Sequence, residues 1–544
     1  MKKFITWIFI LFTGCGTLTA QTFTAAQQMI YHQKYASAVS VLQGLLRNDP
    51  SNAQAWFTLA QAYIGSDHLE KPRDSLQLAP QQVKELPLFK SILGYILLKQ
   101  GDSVAAQHDF DIALQDTKMK DPAVLAMVAT AHINAKQGNA GYAVMLLQKA
   151  IKKDNDNPAL YVLLGDAYRK SMDGGAAFNA YKQALFKDGK YAAAEYKLGK
   201  IFTSQNNPAE YLPYFEKAAQ DDPLYAPALY ELYYHYYFKD INLAKNYLDQ
   251  YIAASDYDIK NDYLVADLLY TSAKYTEAIN KSKEIINKEG LNAQARLYKL
   301  IGYSCKELGD SLQAAAFMNV YFSRQPDSLV IVKDFESMGD IYSVLPGQAD
   351  SAAYFYANAA DREKENTIKT GYYKKIAGIY KKKKDYNNEA LWLGKYCTAN
   401  PLSSNVDLFN WGLASYLGRN YSAADTIFGL YETKYPLEEY GYYWRAKANA
   451  AIDTAMLTGA AIPHYNSVIQ LLEADTSKAI NKKHLVEAYG YIAAYKANTE
   501  KDYPAAISYF DKLLALDPEN ADAKRYADIL KKIQSKNAVA NTGK

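Results

Sequence analysis

Residues 298–326 read YKLIGYSCKELGDSLQAAAFMNVYFSRQP. Tyr298, Ile301, Gly302 and Cys305 follow one another at steps of three, one and three residues, which places all four on one face of an α-helix. About twelve residues past the small Gly302 a second face begins at Ala314 and continues through Met318 and Tyr321. Pro326 ends it, because proline has no amide hydrogen to donate and its ring clashes with the preceding turn. The stretch therefore predicts two short helices.

Outward from this stretch the same spacings return in phase. Trp56, Leu59, Ala60 and Tyr63 repeat the first face, as do Tyr161, Leu164, Gly165 and Tyr168, and then Phe335, Met338, Gly339 and Tyr342. The second face recurs as Ala38, Leu42, Leu45 and Pro50, as Ala424, Phe428, Tyr431 and Pro436, and last as Ala506, Phe510, Leu513 and Pro518. A period of about 34 residues built only of helix pairs describes a solenoid. One repeat buries about eight large side chains at roughly 2 kcal/mol each. Fixing its backbone costs about 1 to 2 kcal/mol per residue, so an isolated repeat stays unfolded and needs its neighbours. Small residues such as Gly94, Gly165, Gly199, Gly302 and Gly412 mark where a facing helix can approach closely, and leucine at Gly302 is expected to destabilise the array.

The pattern resembles the tetratricopeptide repeat family, whose consensus has an aromatic residue, Leu-Gly and Tyr on the first helix and Ala, Phe, Ala and Pro on the second. The resemblance runs over roughly residues 22 to 520. It implies an all-α, right-handed superhelical solenoid of about 13 to 14 helix-turn-helix repeats. Residues 21–520 are expected to form the array, degenerate at 65–86 and carrying insertions near 343–350 and 453–459. Residues 521–534 read as a closing helix with an apolar stripe of Tyr526, Ile529, Leu530 and Ile533. The polar tail 535–544 reads as disordered.

Composition narrows the function classes. Lys and Arg total 61 against 58 acidic residues, a net charge of +3, which argues against a dedicated nucleic-acid binder with a concentrated basic face. The 49 tyrosines largely fill aromatic slots of the repeats. Lys2 and Lys3 precede an apolar run from Phe4 to Phe12, then small residues to Ala20, the pattern of an export signal cleaved after residue 20. That run is shorter than the about 20 residues a bilayer span needs. An alternative takes Thr13, Gly14 and Cys15 as the end of a lipoprotein box, with Cys15 lipidated. Both readings put the mature chain outside the cytoplasm, in the periplasm or at the outer membrane of a bacterium. Cys305 occupies a buried slot that holds Tyr elsewhere, and Cys397 lies more than two repeats away, so no bridge between them is expected.

No chemistry stands out. His32, His68, His108, His132, His235, His464 and His484 have no zinc-pair spacing, and Cys-x-x-Cys, a phosphate-binding glycine loop and Gly-x-Ser-x-Gly are all missing. The chain therefore reads as a non-catalytic protein, with no cofactor and no metal. Lys381 to Lys384 reads as a solvated turn, or else as a contact for an anion or acidic partner.

In the resembled family the first helices line the concave wall, where ligand peptides lie. Projected onto this chain, the flanks of those helices carry Tyr230, Tyr234 and Tyr237, then Tyr263 and Tyr270, then Arg296, Lys299, Tyr303 and Lys306. Tyrosines supply contact area at low entropy cost, and cations pair with carboxylates, so this wall suits an acidic and apolar peptide. Asp267 lies within the same stretch, and the same tyrosines also suit packing between repeats. The expectation is a protein-interaction scaffold of the bacterial envelope. The alternative is a Cys15-anchored part of an envelope assembly or secretion machine.

Overall fold

The computed structural model describes residues 22–66 and 70–542, so the expected export signal and Cys15 lie outside the described residues. The described chain forms helices joined by turns, with no strand among the described residues, and divides into two compact units at Leu291 and Asn292. Gly290, with φ 58°, turns the chain there through a short 3-10 segment, Gly290–Asn292. The repeat phase runs through this point without a break, so the boundary was not legible from periodicity.

Unit 1 contains α1 (residues 22–31), α2 (Tyr35–Asn48), α3 (Ala53–Gly65), α4 (Glu70–Gln77) and α5 (Gln81–Lys84). It continues with α6 (Pro87–Gln100), α7 (Ser103–Asp116), α8 (Pro122–Asn134), α9 (Ala140–Ile151), α10 (Pro158–Lys170) and α11 (Gly174–Lys187). Then come α12 (Ala192–Ser204), α13 (Pro208–Asp221), α14 (Ala226–Tyr236), α15 (Ile241–Ala254), α16 (Ile259–Thr271) and α17 (Tyr275–Glu289). Unit 2 opens with α18 (Ala295–Glu307), α19 (Ser311–Arg324), α20 (Val332–Ser343), α21 (Ala349–Arg362), α22 (Asn366–Lys383) and α23 (Tyr386–Ala399). It closes with α24 (Asn405–Leu417), α25 (Tyr421–Lys434), α26 (Glu439–Ile452), α27 (Ile462–Leu472), α28 (Ala479–Tyr495), α29 (Tyr503–Leu516) and α30 (Ala521–Thr542).

Six helix pairs share one contact. A Cβ placed on Gly94 would stand 2.6 Å from the Phe110 ring, on Gly165 2.3 Å from Tyr181, and on Gly199 2.5 Å from Phe215. In unit 2 the same holds for Gly339 against Tyr356 at 2.6 Å and Gly412 against Phe428 at 2.7 Å. The first helix must carry glycine there because the ring of the second helix lies directly on its backbone. Gly302 faces the flexible Met318 instead, 2.5 Å from its Cγ.

The turn inside a pair is equally regular. Asp102, Asp173, Asp310, Asp385 and Asp502 each accept a hydrogen bond from the backbone amide three residues on, which starts the second helix. The residue before each cap, Gly101, Met172, Gly309, Lys384 or Lys501, is left-handed. These caps follow the repeat phase and could have been found from sequence.

The irregular stretches differ from this frame in physical detail. Over 65–86 the long second helix is replaced by α4 and the single-turn α5, with Leu76, Ala79 and Val83 filling the core. In the loop after α26, the Asp453 carboxylate accepts backbone hydrogen bonds from Leu457, Thr458 and Gly459 at 2.8 to 3.0 Å, which folds the extra residues compactly. The closing helix departs from expectation twice. It buries Ala523, Ala527 and Leu530, while Tyr526 and Ile529 stay about half exposed, so the packed face is rotated from the largest side chains to the smallest. It also runs past the expected end at residue 534 to Thr542, because 531–542 contains neither Gly nor Pro to stop it.

Unit 1 also holds its own beginning. Lys34, the N-cap of α2, has no side-chain acceptor to offer. Asp256, beyond the end of α15, supplies one: it accepts from the Ala36 amide at 2.7 Å, the Ser37 amide at 3.3 Å and the Ser37 hydroxyl at 2.5 Å. His32 meets Asp222 at 2.9 Å, and the Tyr31 ring lies 5.4 Å from Tyr191 and 5.5 Å from Tyr225. The Asp256→Ala variant is expected to lose about 1 to 2 kcal/mol of local stability, the cost of a helix cap. Hydrogen exchange should then accelerate in α1 and α2 while α8 and α9 keep their rates.

Candidate functional site

The first helices of unit 2 are joined by a ladder of lysine, tyrosine and carboxylate. Asp334 on α20 is fully buried and accepts from the Tyr303 hydroxyl at 2.6 Å, the Tyr321 hydroxyl at 2.7 Å and the Ile331 amide at 3.2 Å. Lys299 stands 3.2 Å from it and 5.0 Å from the centre of the Tyr321 ring. Six residues on, Asp340 takes Lys306 at 2.7 Å, Tyr356 at 2.6 Å and Lys375 at 3.5 Å. Asp407 pairs with Lys374 at 2.8 Å, and Glu487 gathers Tyr443 at 2.6 Å, Lys447 at 3.0 Å and Tyr465 at 3.2 Å.

The logic is that a buried phenol must find an acceptor and a buried carboxylate must be paired. Each rung satisfies both. Burial alone would raise Asp340, but hydrogen bonds from Lys306 and Tyr356 and the charges of Lys306 and Lys375 outweigh it and hold it below its ordinary 3.8. Asp407 and Glu487 are held low by the same balance. Burial, then the carboxylate neighbour, pushes the phenols of Tyr321, Tyr356 and Tyr443 up. Because the carboxylates are depressed on folding, their stabilisation is complete above the ordinary carboxylate range and is lost as pH falls through the folded values.

Unit 1 contains a group with the opposite sign. Glu195 is buried, and desolvation pushes it to about 7 from an ordinary 4.5, against the pull of Lys217 3.7 Å away. Its contribution is present below pH 4.5 and is lost as pH rises to 7. Glu195→Gln is expected to flatten that fall, leaving the variant at least as stable as the parent at pH 8; urea titrations from pH 4 to 8 would measure it.

The nine expected wall residues divide between the units. In unit 1, Tyr234 is 67% exposed and Tyr230 36% exposed, one helical turn apart on α14. Phe238, in the turn that follows, is 86% exposed and extends the same row; the sequence reading passed over it, although its four-residue step from Tyr234 was visible. Tyr237 donates to the Asp267 carbonyl at 3.1 Å and meets the Thr271 hydroxyl at 2.7 Å, so it joins α14 to α16. Tyr263 is buried and bonds Glu289, and Tyr270 packs 5.7 Å from Tyr275. In unit 2, Lys299, Tyr303 and Lys306 are the ladder residues above, and Arg296 bonds Gln294 at 3.0 Å. Lys299 and Lys306 of the expected cationic patch are therefore neutralised by Asp334 and Asp340, which lie one repeat further along the chain.

A second concavity in unit 2 was not anticipated. Helices α23, α24 and α25 enclose a groove of about 1130 Å³ lined by Leu391, Gly394, Trp411, Ile427 and Leu430. Cys305 and Cys397 are both buried, and burial pushes the Cys397 thiol up to about 11. Among the described residues no cluster of His, Cys, Asp or Glu could hold a metal ion, and no helix is long and apolar enough to cross a membrane.

Comparison with curated proteins returns no match. Among solved structures, the C-terminal part of a TPR repeat-containing protein from Cytophaga hutchinsonii is 28% identical, with 48% of this chain and 98% of that chain covered and a TM-score of 0.30. A tetratricopeptide repeat protein from Parabacteroides merdae is 15% identical, covering 53% of this chain and 97% of its own, with a TM-score of 0.22. PilW, a type IV pilus biogenesis factor, is 20% identical, covering 38% and 94%, with a TM-score of 0.27. Residues 29–94 match the tetratricopeptide repeat family directly. The glycine-on-ring contact and the Asp cap then recur in phase through both units. Residues 29–94 therefore carry the tetratricopeptide repeat, and the helix pairs that follow repeat its local geometry.

Proposed function

We propose that this protein is a non-catalytic scaffold of the bacterial cell envelope that binds partner proteins or peptides on the first-helix face of its repeats. The observation that carries the reading is the aromatic row of Tyr230, Tyr234 and Phe238: Tyr234 and Phe238 stand mostly in water, Tyr230 continues the row while resting 5.4 Å from Tyr251, and exposed rings at one-turn spacing are the anchors a protein interface uses. Among the other first-helix residues named above, Tyr237, Lys299, Tyr303 and Lys306 brace neighbouring repeats, while Tyr263 and Tyr270 pack within their own helix pair, which leaves α14 as the exposed aromatic part of the wall. The sequence pattern of an export signal ending at Ala20 supports the envelope assignment, and lipidation at Cys15 is its anchored variant.

A photo-crosslinking amino acid at position 234 of the full chain, expressed in its native envelope, tests the binding surface. Protein adducts that disappear on Tyr230→Ala with Phe238→Ala are expected; adducts indifferent to both changes, or none, would overturn it. Metabolic labelling with a fatty acid analogue, with Cys15→Ser as control, separates the anchored form from the soluble one.

A further inference from the structure

The groove of unit 2 has features that the first-helix face lacks. Its walls, α23 and α25, run in the same direction with α24 between them, and its floor is Trp411. Leu391 and Leu430 stand at its edges, 53% and 50% exposed. At about 1130 Å³ it exceeds the roughly 300–1,000 Å³ of small-molecule pockets. Small residues such as Gly394 and Ala423 keep it open along the helices.

One end of the groove is cationic. Asn387 lines both the groove and an adjoining polar cleft formed with Lys383, Lys384 and Arg419. Lys383 is paired with Asp350 at 3.0 Å, and the Asp385 carboxylate is engaged in capping α23 through Asn388. Lys384 and Arg419 are exposed and make no ion pair among the described residues. The N-termini of α23 and α25 open at this same end and add positive potential to it.

We propose that this groove docks an amphipathic helix of a partner protein, with the apolar stripe on Leu391, Trp411 and Leu430 and an acidic end against Lys384 and Arg419. An apolar face alone would admit many helices; the unpaired cations select one with carboxylates at its end. This surface is built by residues of unit 2 alone, so it shares no residue with the aromatic row on α14 and does not depend on it.

The test uses the full chain and a labelled helix-forming peptide of about 16 residues, long enough to lie along a 14-residue helix. It carries leucines at i, i+3, i+4 and i+7 and three glutamates in one terminal turn; its counterpart carries three lysines there. By fluorescence anisotropy the glutamate peptide should bind at least about tenfold tighter than the lysine one. Leu391→Asp with Leu430→Asp should abolish binding, Lys384→Glu with Arg419→Glu should invert the preference, and Phe186→Asp, an exposed change in unit 1, should leave both unaltered. Equal binding of the two peptides, no binding of either, or binding that survives the groove variant would overturn the proposal. Should the groove variant fail to keep its helicity, the charge-reversal pair decides alone, because both of its positions are solvent-exposed.

Discussion

Leucine at Gly165 should cost unit 1 at least about 3 kcal/mol, the upper part of the range for forcing volume into a packed core. A Cβ there would already stand 2.3 Å from Tyr181, and that ring cannot retreat: it is fully buried, and its hydroxyl is held by Asp166 at 2.7 Å. Alanine should cost less, because its gain in helix propensity of about 1 kcal/mol offsets part of the clash. The same leucine at Gly302 should be milder than at Gly165. Met318 is unbranched and can swing aside, whereas a tyrosine ring moves as one body. Calorimetry of the full chain with Gly165→Leu and Gly302→Leu would read this order directly. Equal losses would mean that the facing side chain does not set the cost.

Asp334→Ala should destabilise unit 2 by about 3 to 5 kcal/mol, the cost of breaking a buried pair from one side. The substitution strands two phenols, one backbone amide and the Lys299 ammonium at once. Asp334→Asn keeps one accepting oxygen and should recover part of the loss. Denaturant titration of both variants checks the order, and an alanine variant within 1 kcal/mol of the parent would remove the ladder as a stabilising device. Acid should weaken the ladder in the parent too. Asp340, Asp407 and Glu487 are depressed on folding, so stability should fall as pH drops below the ordinary carboxylate range.

How much of this was legible follows from what a one-dimensional pattern can encode. Gly165 and Tyr181 sit at fixed places in the repeat, so their contact was implied by phase alone. Cys305 was legible as a core residue for the same reason. The cationic character of Lys299 and Lys306 was legible, but their neutralisation was not. Asp334 and Asp340 lie a full repeat away, and only the stacking of α18 on α20 brings them together. In α30 the apolar stripe suggested Tyr526 and Ile529 as the packed face, yet the close approach of α29 favours Ala523 and Ala527. The contact of Asp256 with Ser37 joins residues far apart in the chain, with no repeat-length relation to announce it.

The sequence by itself therefore determined the helix pairs, their period and the glycine, proline and aromatic positions that let one pair stack on the next. These depend on local spacing and on the nearest repeat, which a linear pattern records. Only the tertiary structure decided which surface tyrosines and lysines are used internally, where the chain divides into two units, and that a groove between α23 and α25 remains open. Burial and pairing at those positions depend on helices one repeat or more away. Side chains of identical chemistry, such as Tyr234 and Tyr263, are sorted into exposed and buried only by that stacking.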